Sequence, residues 1–226
     1  MKKGKRKIRE CVYCGEVKEV SKEHVIPKCL FIKPYPPNLI TVKACDDCNN
    51  AKSQNDDYLR DFLVADNWVS RSPTAQKVFE KMLSSHRQGS SVIARDSVKK
   101  STIEPFYTNA GIYLGDYHFI PIDSERIENI FKMLVGGLFY DARRKRIPDD
   151  YVFKLRRFHL WDFDEIWKVF SRYNPEIRNL EEIFGYAFIQ PPEDSLSSIW
   201  LIWFYRRIVF YVSAINPNLA DKMKSD

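Results

Sequence analysis

The sequence predicts an α+β fold headed by a small metal-stapled module, on three observations. Two C-x2-C pairs, Cys11-Val-Tyr-Cys14 and Cys45-Asp-Asp-Cys48, bracket a turn-rich N-terminal stretch. Two segments after residue 54 carry apolar residues at helical spacing. Beyond residue 100, strand-like apolar runs alternate with further helical patterns and turn signals. With 226 residues and 44% apolar composition, the chain can build one large domain or a small module joined to a larger one.

Residues 1–10 form a basic arm, because six of the eight residues from Lys2 to Arg9 are lysine or arginine. Such a run either tracks phosphates or is a solvated terminus. Residues 11–54 form the metal-stapled module, in which Pro27, Pro34, Pro36 and Pro37 forbid a long helix through the middle. A helical connector follows over 55–90. There Asn55–Val69 places Tyr58, Leu59, Phe62 and Leu63 on one face, and Thr74–His86 does the same with Val78, Phe79, Met82 and Leu83. Gln88–Lys100 lacks apolar periodicity and reads as a connecting loop or domain boundary.

Residues 91–226 read as an α+β accessory region. Strands at Thr102–Tyr107 and Gly111–Ile122 are joined by the Thr108-Asn109-Ala110-Gly111 turn, and a helix follows from Ser124 to Tyr140. A strand near Tyr151–Phe158, a helix over Trp161–Phe170, and apolar strands at Phe184–Ile189 and Ile199–Tyr211 complete the pattern. Trp161, Trp167, Trp200 and Trp203 fall in this half, and core packing is the expected reason for them.

A balance of 36 Lys and Arg against 30 Asp and Glu gives a net charge of +6, which fits a polyanionic partner without requiring one. No apolar run reaches the length of a signal-peptide core or membrane span; Ser198–Ile215 comes closest and is broken by Arg206-Arg207. The expectation is a cytoplasmic protein with no membrane partner. In a reducing compartment, four of five cysteines in C-x2-C pairs point to metal binding rather than disulfides, leaving Cys29 as a buried or inert thiol.

Four thiolates in two knuckles are the soft, closed ligand set of a structural zinc, whereas Glu23 and Asn49 offer hard oxygen donors suited to magnesium or manganese. Thirty residues separate Cys14 from Cys45, so the knuckles bring together the ends of an inserted element. That insert carries Ser21-Lys22-Glu23-His24-Val25-Ile26-Pro27, then Pro37-Asn38-Leu39-Ile40, and the second knuckle runs into Asn49-Asn50-Ala51-Lys52-Ser53.

With these three blocks in order, the segment Cys11–Ser53 resembles the HNH endonuclease family. The resemblance implies a ββα-metal fold, with two antiparallel strands bearing His24 and the Asn38 loop, packed on a helix that begins near Cys48. It implies His24 as general base, Asn38 as the residue fixing that loop, and Glu23 and Asn49 as ligands of one catalytic Mg2+ or Mn2+. Glu at position 23 and Asn at position 49 depart from the commoner Asp and His, and losing a nitrogen ligand favours magnesium or manganese over nickel or zinc.

Lys52, three positions after Asn49, shares its helical face and is either a phosphate contact or a solvated lysine; Asn50 points away and Ser53 supports structure. Adjacent strand residues alternate, so Glu23 and His24 reach one site only if the backbone bends there. His86, His118 and His159 have no metal-spaced partner and read as structural or surface histidines. Arg143, Arg144, Lys145 and Arg146 either present charge to nucleic acid or cap the preceding helix.

The resemblance implies a metal-dependent endonuclease hydrolysing phosphodiester bonds in DNA, or in RNA. A microbial defence effector is one form of it, with a protein partner docked through residues beyond Ser53. The alternative is a noncatalytic zinc-bearing nucleic-acid or protein adaptor, which explains the cysteines equally well but leaves Glu23-His24 and Asn49 as coincidences.

Overall fold

A computed structural model describes residues 7–66, 68–87, 101–119, 121–158 and 162–225. Three antiparallel strands, β1 (Lys7–Glu10), β2 (Val17–His24) and β3 (Thr41–Cys45), form a sheet in the order β1-β2-β3. The last four residues of the basic arm are therefore ladder residues, with Lys7 opposite Val20 and Glu10 opposite Val17. The rest of the arm lies outside the described residues.

Helix α1 (Asp46–Val64) follows β3 without a break. The sequence suggests two helices here, one beginning near Cys48 and one over Asn55–Val69; they are a single helix that stops at Val64, so position 54/55 lies inside α1. The polar run Gln54-Asn55-Asp56-Asp57 hides the continuity, since such residues are weak helix formers. Burial of Tyr58, Leu59 and Leu63 on the core overrides that preference, and Asp46 and Asp47 complement the helix N-terminus. A 3-10 turn (Val69–Arg71) leads to α2 (Pro73–Arg87), whose proline occupies the first helical position, where its missing N–H costs nothing.

Strands β4 (Thr102–Tyr107) and β5 (Tyr113–Phe119) form a two-stranded ribbon closed by the expected turn, with Gly111 at φ 79°. Helix α3 (Ser124–Arg143) is capped by Asp123, whose side chain accepts a hydrogen bond from the Arg126 amide at 2.9 Å, and runs one turn beyond its expected end. It is locked to α1: the Asp123 amide donates to the Tyr58 hydroxyl, Arg126 Nε donates to Asn55 Oδ1, and the Arg126 guanidinium lies over the Tyr58 ring.

The second large sheet is wholly antiparallel, in the order β6-β10-β9-β8-β7, from β6 (Val152–Phe158), β7 (Glu176–Leu180), β8 (Phe184–Ile189), β9 (Ser198–Phe204) and β10 (Ile208–Ile215). The apolar run expected as one strand over Ile199–Tyr211 is a hairpin, turned at Tyr205 and Arg206 with φ 52° and 50°. Both faces of this sheet are covered, so no polar periodicity marks the turn. Phe184, Phe188, Trp200, Ile202, Phe204 and Phe210 face a core shared with α3, α1 and the N-terminal module. On the other face, Ala187, Leu201 and Val209 pack under α4 (Phe163–Phe170) through Phe163, Trp167 and Phe170. Gly185 lies beneath the Trp203 indole, whose ring atoms sit 2.3 Å from where a Cβ would be. Trp200 is fully buried and stacked on Phe188, as core packing requires, while Trp161 and His159 lie outside the described residues. Helix α5 (Pro217–Ser225) ends the chain, and no helix among the described residues is long and apolar enough to cross a membrane.

Candidate metal centre

The first knuckle is a tight loop in which the Gly15 amide bonds the Cys11 carbonyl at 2.8 Å and the Cys11 amide bonds the Glu16 carbonyl at 2.9 Å. Gly15 holds φ 75°, and the Arg146 guanidinium occupies the space a Cβ would need. The second knuckle joins strand to helix, with Cys45 closing β3 and Cys48 in the first turn of α1. The Sγ atoms of Cys11, Cys14, Cys45 and Cys48 all lie within 4.8 Å of one another. A tetrahedral thiolate site with Zn–S near 2.3 Å places sulfurs about 3.8 Å apart, and Cys14 and Cys45 are separated by 3.9 Å. The group can hold a metal ion and is compatible with structural zinc. Burial disfavours the Cys11 thiolate, yet backbone amides of Cys14, Cys45 and Tyr13 outweigh it and hold the thiol near 7, with the Cys45 N–H donating to its sulfur at 3.3 Å. Cys29 is set apart; its thiol donates to the Asp56 carbonyl and is pushed up to about 12 by burial.

Strand β2 presents Ser21 and Glu23 to α1. Asn49 Nδ2 donates to Ser21 Oγ at 3.3 Å, which turns the amide oxygen of Asn49 the other way. Lys52, one turn on, is buried at 3% exposure, its ammonium 3.5 Å from Glu23 Oε1 and 2.7 Å from Asp56 Oδ1. It is thus not a solvated lysine: the helix face that carries Asn49 packs against β2, and two carboxylates pair with its charge. Burial pushes the Glu23 carboxyl up against the opposing pull of Lys52, and raises Asp56 to about 6.

The β2–β3 register runs without a bulge through Glu23 opposite Val42 and His24 opposite Thr41. Glu23 therefore faces α1 while His24 alternates to the other side. Burial, reinforced by Lys28, Lys22 and Lys52, lowers His24 to about 4 and leaves a neutral imidazole at pH 7. Asn38 is exposed, and its backbone carbonyl lies 3.5 Å from Arg178 of β7. Asn50 and Ser53 are exposed on α1. Among the described residues, the four cysteines form the one His, Cys, Asp or Glu group of three or more with ligand atoms so close.

The basic run 143–146 is divided between uses. Arg143 reaches Glu176 and Gln190, and Arg146 bonds the Tyr13 carbonyl at 3.2 Å and Asp149 at 2.9 Å, tying the first knuckle to the loop after α3. Arg144 and Lys145 are exposed. A cavity of about 350 Å3 opens beside this contact, lined by Tyr13, Lys132, Arg146 and Phe153, with none of Glu23, His24 and Asn49 on its walls. Sequence reasoning left Asp56 and Ser21 without roles; the i, i+4 spacing of Lys52 and Asp56 was the available signal for the first. No protein-family model matches the chain, and neither a curated protein nor a solved structure matches it.

Proposed function

We propose that the chain is a zinc-stapled, metal-dependent endonuclease that hydrolyses phosphodiester bonds in DNA. One observation supports this reading most: the knuckles hold the start of α1 against β2, so that the Asn49 amide and the Glu23 carboxylate lie on one β2–α1 interface, at the strand end that carries a neutral His24. The four cysteines hold the structural zinc, and Glu23 and Asn49 fit a hard cation by donor type. When bound there, Mg2+ or Mn2+ supplies charge neutralisation on the scissile phosphate and the departing oxygen. His24 accepts the proton of the attacking water, a task that needs an unprotonated imidazole at working pH and, because its side chain leaves β2 on the side opposite Glu23, a bend at the end of that strand when metal and substrate bind. Lys52 and Asp56 hold the Glu23 carboxylate rather than the substrate.

The test is nicking of supercoiled plasmid with magnesium or manganese by wild type and His24→Ala, each verified as folded and zinc-loaded. The expected result is metal-dependent nicking that falls by about 100-fold or more in the variant. A second reading, the noncatalytic adaptor, is favoured by Lys52 already engaging Glu23. Equal background cutting by both proteins, or no cutting of single- or double-stranded DNA or RNA, would select it.

A further inference from the structure

The β4–β5 ribbon carries an apolar surface that the core does not use. Nine large apolar or aromatic side chains between Ile103 and Ile122 are exposed by 41–63%, and every residue of β4 is exposed. The pairing places Phe106, Tyr117 and Phe119 on one face, with ring centroids 5.2 and 6.5 Å from Phe106, while Tyr107 and Tyr113 meet at 5.5 Å beyond a bulge. A free two-stranded ribbon is marginal in water, and an apolar patch of this extent marks an interaction surface.

The chemistry of the ribbon chooses among partners. No lysine or arginine occurs from Ser101 to Glu125, although the chain carries +6 overall, so this ribbon has no charge to offer a polyanion. Its two edges also differ. Pro105, inside β4 and opposite Asp116, has no N–H, and a proline is accommodated in a strand where its nitrogen faces the free edge, which blunts that edge for strand addition. Strand β5 contains no proline, and its outer edge is unpaired among the described residues.

We infer that this ribbon joins two copies of the chain, β5 against β5 of the second copy, in a four-stranded antiparallel sheet. Pairing through the open edge leaves the two proline-blocked β4 strands outermost, so the assembly closes at two copies instead of growing. Of the nine, Tyr113, Leu114, Tyr117 and Phe119 lie on β5 itself and at roughly 100 Å2 each offer about 400 Å2 per partner, the flanking side chains and backbone supplying the rest of the ~800 Å2 of a stable interface. Asp116 is the only Asp, Glu, Lys or Arg of β5, and like charges face each other unfavourably across strands, so the two-fold axis lies away from it. The inference is independent of the nuclease reading.

Sedimentation velocity on the full, zinc-loaded chain at about 50 µM should give twice the 26.7 kDa chain mass. The Phe106→Ser/Tyr117→Ser/Phe119→Ser variant should sediment as a single chain, its dimer dissociation constant raised by about 100-fold or more, with zinc content unchanged. Amide exchange supplies a measurement on the unaltered protein: β5 amides should slow as concentration rises, and β4 amides should not. A monomeric wild type, a dimer undiminished in the variant, or concentration-independent β5 exchange would each overturn the inference. So would duplex DNA binding that the variant loses.

Discussion

Lys52 shows how a single side chain decides what a motif can do. Its ammonium is enclosed by Glu23 and Asp56, whose side chains are themselves only 13% and 20% exposed. Removing one partner of a buried ion pair leaves uncompensated charge, at about 3–5 kcal/mol. Lys52→Met should therefore lower unfolding free energy by about 3 kcal/mol at pH 7 in urea titrations. The sign of the pH dependence follows from Asp56, whose folded pKa is raised from 3.8 to about 6. Ionising a raised carboxyl costs stability as pH climbs through that window, and the variant lacks the cation that offsets the cost, so its deficit should shrink between pH 7 and pH 5. A deficit below about 1 kcal/mol, or one that grows on acidification, would show the triad to be screened by solvent. Only the i, i+4 spacing of Lys52 and Asp56 was legible in the sequence; the burial and the Glu23 contact were not. The cysteines could be read because C-x2-C is local and its chemistry specific, whereas the burial of Lys52 depends on a strand that pairs some thirty positions away.

At the level of elements, α3 tests how closely the N-terminal module is fitted to the rest. A Cβ at Gly137 would meet both Val25 methyl groups at 2.8 Å and the Tyr13 hydroxyl at 3.3 Å, whereas one at the adjacent Gly136 would meet nothing within 4 Å. Glycine within a helix is worth about 1 kcal/mol less than alanine. Gly136→Ala should therefore stabilise by about 0.5–1 kcal/mol, and Gly137→Ala should destabilise by about 1–3 kcal/mol through overpacking. Thermal melts of the two variants check this, and shifts of the same sign would refute the close approach. Elements with a clear period or turn were legible, such as α2, α3 and the β4–β5 turn. Those missed had none: β7, Glu-Ile-Arg-Asn-Leu, is a mostly exposed edge strand, and the β9–β10 hairpin turns on non-glycine residues between strands buried on both faces.

For the molecule as a whole, one apolar cluster runs from Val12, Val25 and Phe31 through Leu59 and Phe131 to Trp200 and Phe210. Tyr205, at the β9–β10 turn, donates to the Leu30 carbonyl at 3.0 Å, and Arg178 reaches the Asn38 carbonyl. The α+β class was legible; the sequence leaves open whether residues 11–54 and the rest share one core, because burial shared across that point leaves no trace in local pattern. Structural zinc contributes of order 10 kcal/mol to small modules, and each 1 kcal/mol moves the midpoint of a domain this size by about 2–4 °C. Chelation should thus lower the melting temperature by more than about 10 °C, with tryptophan emission from the five-stranded sheet and far-UV dichroism moving together. Two separate transitions, with the sheet unaffected, would refute a common core.

Helix α1 carries the knuckle residue Cys48 at one end and the core residues Leu59 and Leu63 at the other, with Asn49 and Lys52 between. At 3.6 residues per turn Cys48, Lys52, Leu59 and Leu63 fall within about 60° of one another, with Asn49 at the margin of that face. Inserting a single residue near Ala51 would rotate one end against the other by about 100°, and no choice of amino acid would repair it. Adding two full turns would restore the phase and instead carry the ends about 10 Å farther apart. The helix thus acts as a keyed shaft, and between its ends chain length is less tolerant of change than residue identity.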